Sequence, residues 1–408
     1  MKQEIEQIRS LFPYLRSSVG EGRPLIYFDS AATSQKPQSV IDAVSAWLTG
    51  ANANVHRAIY GMAAEATANY EAGREAVRSL INASSKEEIV LTSGTTASIN
   101  LLANIYSAGC VHAGDEILLS EGEHHSNIVP WQMLCARTGA SLRYFPVGDD
   151  GQWDLEAAEK ILSQGKVRMV SAAHISNVLG IVNPVSELIS LAHRYGALVH
   201  LDGAQGIVHA GIDVQRTPCD FYSFSGHKLY AMTGTGVLYG RRDLLETLPP
   251  WMGGGEMVDT VTYDRTTYAP VPLRFEAGTP NFISAATLKP AIDFVTSIRI
   301  PQVEENESAM TDYLMQEMKS IDGLRIYGTG GRKAPLISFT VDGAHHSDIA
   351  TLLDKMGIAV RSGLMCSEPL LNRFGQTGAV RISLAAYNCM EECEAFMSAL
   401  RKVLRMLK

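Results

Sequence analysis

Between about residue 20 and residue 290, short apolar runs alternate with longer segments of helical period, and few architectures accommodate that pattern. The runs include 88–91, 116–119, 142–145, 167–172, 197–201, 221–224 and 236–239, with helical spacing between several of them, as at 130–137 and 184–193. Strand–helix–strand units repeated in this way predict an α/β fold, a mostly parallel sheet with helices on both faces. Such sheets bind ligands beyond the carboxyl ends of their strands, so polar residues that follow apolar runs are the candidates for chemistry. Beyond about residue 295 the pattern changes: a long helical stretch (301–320) leads into strands at 336–341, 358–360 and 380–384. Helices are expected at 347–355 and from about Glu391. The division predicted is a large α/β domain over 21–294 and a smaller α+β domain formed by 1–20 plus 295–408.

The composition supports a folded, soluble chain. Of 408 residues, 46% are hydrophobic and 19% charged, enough apolar material for a sizeable core. The 35 basic and 43 acidic side chains leave a formal net charge of -8 with no basic stripe, which argues against nucleic acid as a partner. No stretch approaches the ~18 uninterrupted apolar residues of a membrane span. The N-terminal MKQEIEQIRSLFPYL reads as an amphipathic helix, without the basic-then-apolar layout of a secretion signal. Six cysteines (Cys110, Cys135, Cys219, Cys366, Cys389, Cys393) form no close-spaced framework, so reduced thiols and a cytoplasmic location are expected.

Four strand-end features converge on one ligand. Thr92-Ser93-Gly94-Thr95-Thr96 follows an apolar strand and opens a helical pattern. Such a turn offers free backbone N–H groups, two hydroxyls and the positive end of a helix dipole to a phosphate. By itself it fits a plain helix cap equally well. In Val199-His200-Leu201-Asp202-Gly203-Ala204-Gln205 a carboxylate ends a run that should be buried, where a charge needs a partner. The protonated pyridine nitrogen of pyridoxal phosphate would be one, although Asp202 would also serve as a cap. In Phe224-Ser225-Gly226-His227-Lys228 a lysine sits in a tight turn among apolar residues. There it loses affinity for its proton and becomes competent to form a Schiff base. Ser225 and His227 flank it as phosphate donors. Finally, Glu123-His124-His125-Ser126-Asn127 supplies an imidazole that can stack on a flat ring. The His pair has no third ligand at a useful spacing, so no metal is expected.

With these segments in view, the chain resembles fold-type I pyridoxal-phosphate enzymes of the aminotransferase class V group, and most closely the SufS/CsdA-type (group II) cysteine desulfurases. The likeness runs almost end to end. It takes in Asp29-Ser30-Ala31-Ala32, Val55-His56-Arg57, Gly94-Thr95-Thr96, Glu123-His124-His125 and Ser176-Asn177-Val178-Leu179-Gly180. It continues through the Asp202 and Lys228 segments, Gly278-Thr279-Pro280-Asn281 and Ser383-Leu384-Ala385-Ala386-Tyr387-Asn388. The resemblance implies a seven-stranded, mostly parallel sheet, a homodimer and pyridoxal phosphate as cofactor. It implies that Lys228 holds the cofactor covalently, His124 stacks on its ring, Asp202 pairs with the ring nitrogen and Gln205 meets the phenolic oxygen. Thr95, Thr96, Ser225 and His227 would hold the phosphate, helped by Thr279 of a second subunit. Asn177 and Arg381 would bind the substrate carboxylate, with Arg361, His56 and Ala31 on the same side.

Cofactor residues alone fit an aminotransferase equally well; Arg361-Ser362-Gly363-Leu364-Met365-Cys366-Ser367-Glu368-Pro369 discriminates. A glycine-bearing, polar-flanked turn exposes the thiol, and Arg361 would favour its nucleophilic thiolate. The Arg-x-Gly-x-x-Cys pattern matches the family in full, while Met365 and Ser367 replace the histidine and alanine of many relatives. The expected reaction takes L-cysteine to L-alanine, with sulfur held on Cys366 as a persulfide for iron–sulfur cluster assembly. The tether to Pro369 is short, which implies an acceptor protein of the SufE or SufU kind that reaches into the site. L-Selenocysteine is an alternative substrate. A class V aminotransferase or kynureninase-like hydrolase, and an idle scaffold, are the competing readings. His345-His346 reads as a helix start, and Gly328-Thr329-Gly330-Gly331 as a turn.

Overall fold

The structure is a computed structural model that describes residues 2–16, 18–19, 23–299 and 301–407. The expected boundary between residues 20 and 21 lies outside the described residues. The seven apolar runs become the seven strands of one sheet. They are β1 (Ile89–Thr92), β2 (Glu116–Ser120), β3 (Ser141–Phe145), β4 (Val167–Ala173), β5 (Leu198–Asp202), β6 (Phe221–Ser225) and β7 (Gly236–Gly240). Their order is β1-β7-β6-β5-β4-β2-β3, and β7 alone runs antiparallel, between β1 and β6. The remaining pairs are parallel, so the mostly parallel seven-stranded sheet is as expected.

Local sequence explains why these elements form. Every residue of β2, β6 and β7 is buried, the continuous burial that a strand covered on both faces requires. The covering helices are one-sided. In Val185–Arg194 the side chains of Leu188, Ile189, Leu191 and Ala192 are buried, while Glu187 in the first turn and Arg194 in the last complement the dipole. Burying each leucine or isoleucine of that stripe contributes about 1.5–3 kcal/mol. Helix Val129–Thr138 opens with Pro130 and stops at Gly139, whose φ of +76° suits the left-handed C-cap.

A second, antiparallel sheet follows: β8 (Leu324–Tyr327), β9 (Leu336–Val341), β10 (Arg361–Gly363) and β11 (Ala379–Ser383), in the order β8-β9-β11-β10. Helices Pro301–Lys319, His346–Asp354 and Met390–Leu407 share its core, which includes Met310, Leu314, Phe339, Leu353 and Phe396. One local expectation changes. The cysteine-bearing segment begins as an edge strand and not as a turn, because Arg361–Gly363 pairs with β11.

The two sheets are stitched together through residues 177–182. Ser338 Oγ donates to the Val178 carbonyl at 2.6 Å, and Arg381 Nη1 to that of Asn177 at 3.0 Å. The half-buried Lys333 ammonium reaches the Leu179 carbonyl at 2.6 Å and the Gly328 carbonyl at 2.7 Å. Gly180, with φ +67°, lies so close that a Cβ there would be 2.4 Å from the Leu336 oxygen. Only glycine meets both demands.

Candidate active site

A cavity of about 300 Å³ opens where the carboxyl ends of the parallel strands face β10 and β11. Thr95 and Thr96 follow β1, His124 follows β2, Asn177 follows β4, Asp202 ends β5 with Gln205 behind it, and Ser225 ends β6 just before His227 and Lys228. All of these line the cavity, and Ala31, Arg361, Cys366 and Arg381 complete its wall. His56 and Thr279 do not line it. The His56 ring lies 3.2 Å from Glu71 and 3.7 Å from Glu256, edge-on to Tyr70, while Thr279 is exposed.

The floor of the cavity is polar, with Asp202 buried and His124, His227 and Lys228 half-buried. Asp202 is buried and accepts from the Ala204 N–H at 2.9 Å; burial pushes its carboxyl pKa up against that bond and the nearby Lys228 charge. Burial also brings the Lys228 ammonium down to about 8, with Asp202 opposing the shift. His124 falls to about 4, through burial first and the Lys228 charge second. Its Nδ1 accepts from the Ser126 N–H at 3.0 Å, so the neutral ring carries its proton on Nε2. Burial lowers His227 to about 4 as well, and its Nδ1 has no hydrogen-bond partner among the described residues.

Around β1 and β6 the chain builds a donor-rich corner. The Thr95 N–H donates to Ser225 Oγ at 2.8 Å, and the two hydroxyls lie 2.7 Å apart. Gly94 makes this approach with φ +151°, and helix Thr95–Ser107 starts there, with Thr95 and Thr96 on the cavity wall. Thr96 Oγ1 pairs with Ser126 Oγ at 2.7 Å, and Gln205 Nε2 donates to the Ala31 carbonyl at 2.8 Å. The peptide before Lys228 is held firmly: the His227 carbonyl accepts from Lys36 Nζ at 2.8 Å, Ser34 Oγ at 3.0 Å and the Ser34 N–H at 3.2 Å.

On the opposite wall, Asp29 organises both arginines. It accepts from Arg361 Nε at 3.2 Å and Nη2 at 2.6 Å, a bidentate pair, and from Arg381 Nη2 at 3.3 Å. Arg361 is thereby committed to a carboxylate, which offsets the charge expected to act on the thiol. Arg381 is buried; desolvation lowers it to about 10, and its Nε has no hydrogen-bond partner among the described residues.

Cys366 is exposed, on a turn from Leu364 to Ser367 closed by the Ser367 N–H on the Leu364 carbonyl at 2.9 Å. Its two central residues, Met365 (φ +50°) and Cys366 (φ +54°), are both left-handed without being glycine. That conformation costs roughly 1–2 kcal/mol per residue, so neighbours must hold it. Asn177 Nδ2 donates to the Met365 carbonyl at 2.8 Å, and Asn177 Oδ1 accepts from Ser367 Oγ at 3.2 Å. The side chain expected to bind substrate therefore also clamps the thiol turn. The sequence reading missed Asp29 and His125 as organisers, although both stand inside the motifs it quoted.

Comparison with known proteins follows the same lines. The family model described as "Aminotransferase class-V" matches residues 26–396. A probable cysteine desulfurase of Vibrio cholerae serotype O1 is 46% identical over 407 residues, covering 100% of both chains. A cysteine desulfurase of Enterobacter sp. (strain 638) is 45% identical over 408 residues, again with 100% of each chain covered. Among solved structures, the cysteine desulfurase CsdA from Escherichia coli superposes with a TM-score of 0.92 at 38% identity, covering 99% of each chain.

Proposed function

The chain belongs to the aminotransferase class-V family, and from that premise we propose that it is a cysteine desulfurase. It converts L-cysteine to L-alanine with pyridoxal phosphate and passes the sulfur, through a persulfide on Cys366, to an acceptor for iron–sulfur cluster assembly. One observation carries the reading: the exposed thiol of Cys366 shares a cavity with Lys228, Asp202 and Arg381.

The residues present fit that cofactor. A protonated ring nitrogen would relieve the buried Asp202 carboxyl. The Nδ1 of His227, without a hydrogen-bond partner among the described residues, the Thr95 and Ser225 hydroxyls and the start of helix Thr95–Ser107 suit a phosphate. His124 offers a neutral flat face, Gln205 a side-chain amide and Lys228 an amine that sheds its proton near neutral pH. When bound, pyridoxal phosphate supplies an electron sink for charge released at the substrate Cα.

The chain's own groups do the rest. Arg381, still cationic, binds the substrate carboxylate with help from Asn177. The Lys228 amine removes the proton from Cα, a task suited to a base with pKa about 8. The Cys366 thiolate then attacks the substrate sulfur, so the Cβ–S bond breaks as an S–S bond forms. Proton return to carbon completes alanine. Cysteine plus thiol gives alanine plus persulfide, and no outside oxidant is required.

The thiol stands only two residues before helix Glu368–Arg373, with Ser367 buried between them, so the persulfide has little reach. An acceptor of the SufE or SufU type that enters the cavity answers that limit. We further place the enzyme in the cytoplasm, as a homodimer in which Thr279 serves the partner's phosphate; the free state of all six cysteines supports a reducing compartment. The test is to incubate the purified holoenzyme with L-cysteine and quantify alanine and protein persulfide. Wild type should form both. Cys366→Ala should keep the cofactor and lose persulfide and turnover; undiminished alanine from Cys366→Ala would favour another reaction of the family.

A further inference from the structure

The thiol turn is held from outside by a residue that does not line the cavity. His125 makes one hydrogen bond to it and one to the residue just beyond it: its N–H donates to the Cys366 carbonyl at 2.7 Å, and its ring Nε2 accepts from the Glu368 N–H at 3.1 Å. The second bond satisfies a free donor at the start of helix Glu368–Arg373, immediately after the turn. His125 follows His124, so the strand end that presents one imidazole to the cavity fixes the thiol with the next residue. Asn177 holds the other side through Met365 and Ser367.

We infer that His125 is a positioning residue for sulfur transfer, its ring holding the left-handed Met365–Cys366 turn so that the thiol faces the substrate sulfur. This rests on the desulfurase reading and adds to it a residue outside the substrate-binding surface. Without the ring acceptor, two consecutive non-glycine residues at positive φ relax toward right-handed or extended backbone, and the thiol leaves its line of attack. Substrate binding and proton removal at Cα use Arg381 and Lys228, and they are untouched. The signature is therefore a selective loss: sulfur transfer slows while the earlier steps do not.

The experiment mixes holoenzyme with L-cysteine in a single turnover. It follows the cofactor absorbance change on substrate binding and, separately, persulfide on Cys366. His125→Leu should slow persulfide formation at least about tenfold, with the absorbance phase and the KM for cysteine within about twofold of wild type, as expected when chemistry alone is disturbed. His125→Gln, whose Oε1 can accept from the Glu368 N–H, should recover most of the rate. Met365→Gly placed in the His125→Leu background should recover part of it, because glycine adopts positive φ freely. The inference is overturned if His125→Leu forms persulfide at the wild-type rate, if binding and transfer fall together, or if neither second variant rescues. Should Cys366→Ala instead turn over normally, the desulfurase reading fails first, and the two failures are distinguishable.

Discussion

Two charged side chains show how burial sets chemistry at the scale of single residues. Asp202 is held in a dry site that disfavours its charge, so it is costly to the empty protein and useful to the loaded one. Asp202→Asn should therefore have effects of opposite sign. The cofactor-free protein should unfold at a higher temperature, while cofactor affinity falls at least about tenfold, the loss of roughly 1.4 kcal/mol of ion pairing. Calorimetry without cofactor and a cofactor titration would check the two halves; a parallel fall in both would contradict the account. Arg381 supplies the second case. Its guanidinium is already engaged by the Asn177 carbonyl and Asp29, so what it offers substrate is orientation as much as charge. Arg381→Lys keeps the charge and loses the fork, and should raise the KM for cysteine about tenfold or more in steady-state assays. Asp202, Lys228 and Cys366 could be nominated from the sequence because each follows a strand pattern and carries distinctive chemistry, and all three line the cavity. Asp29 and His125 were not, because their importance lies in partners hundreds of residues away in the chain.

Among elements, the seven strands of the main sheet were readable almost to the residue, since continuous apolar runs leave little else for the chain to do. Helix Gly61–Leu80 is hard to read from the sequence, though it is 20 residues long. Its buried face is built from Ala63, Ala66, Tyr70, Gly73, Arg74 and Val77, small or polar residues that give weak apolar contrast. Arg74 is buried there only because Glu276 and Glu71 neutralise it, a pairing no local pattern announces. The 177–182 seam was equally hidden, because its hydrogen bonds use backbone groups. Its weak point is Gly180. Gly180→Ala should destabilise the protein by about 2 kcal/mol or more in urea unfolding, from positive φ plus collision with the Leu336 carbonyl. It should also slow sulfur transfer, because Asn177 is displaced with the seam; an alanine tolerated without loss of either would contradict this coupling.

For the molecule as a whole, stability should fall in mild acid. His174 and His200, both buried and outside the cavity lining, are lowered by desolvation to about 4 and about 3. The unfolded chain binds protons at these positions near pH ~6.5, well before the native chain does. Stability from the neutral rings is thus complete above that pH and is lost as pH falls toward the native values. The loss is about 1.4 kcal/mol per histidine between pH 7.5 and 5.5. Urea midpoints measured at those two pH values should differ accordingly, and equal midpoints would refute the assignment. The placement of β7 has a different consequence, one that concerns synthesis. Strand β1 can join the sheet only through β7, which lies between it and β6. On the ribosome, then, the Thr95–Ser225 corner cannot assemble until residue 240 has emerged, and the thiol and Arg381 arrive more than a hundred residues later. Cofactor capture thus waits for residue 240, and sulfur chemistry waits for residue 381.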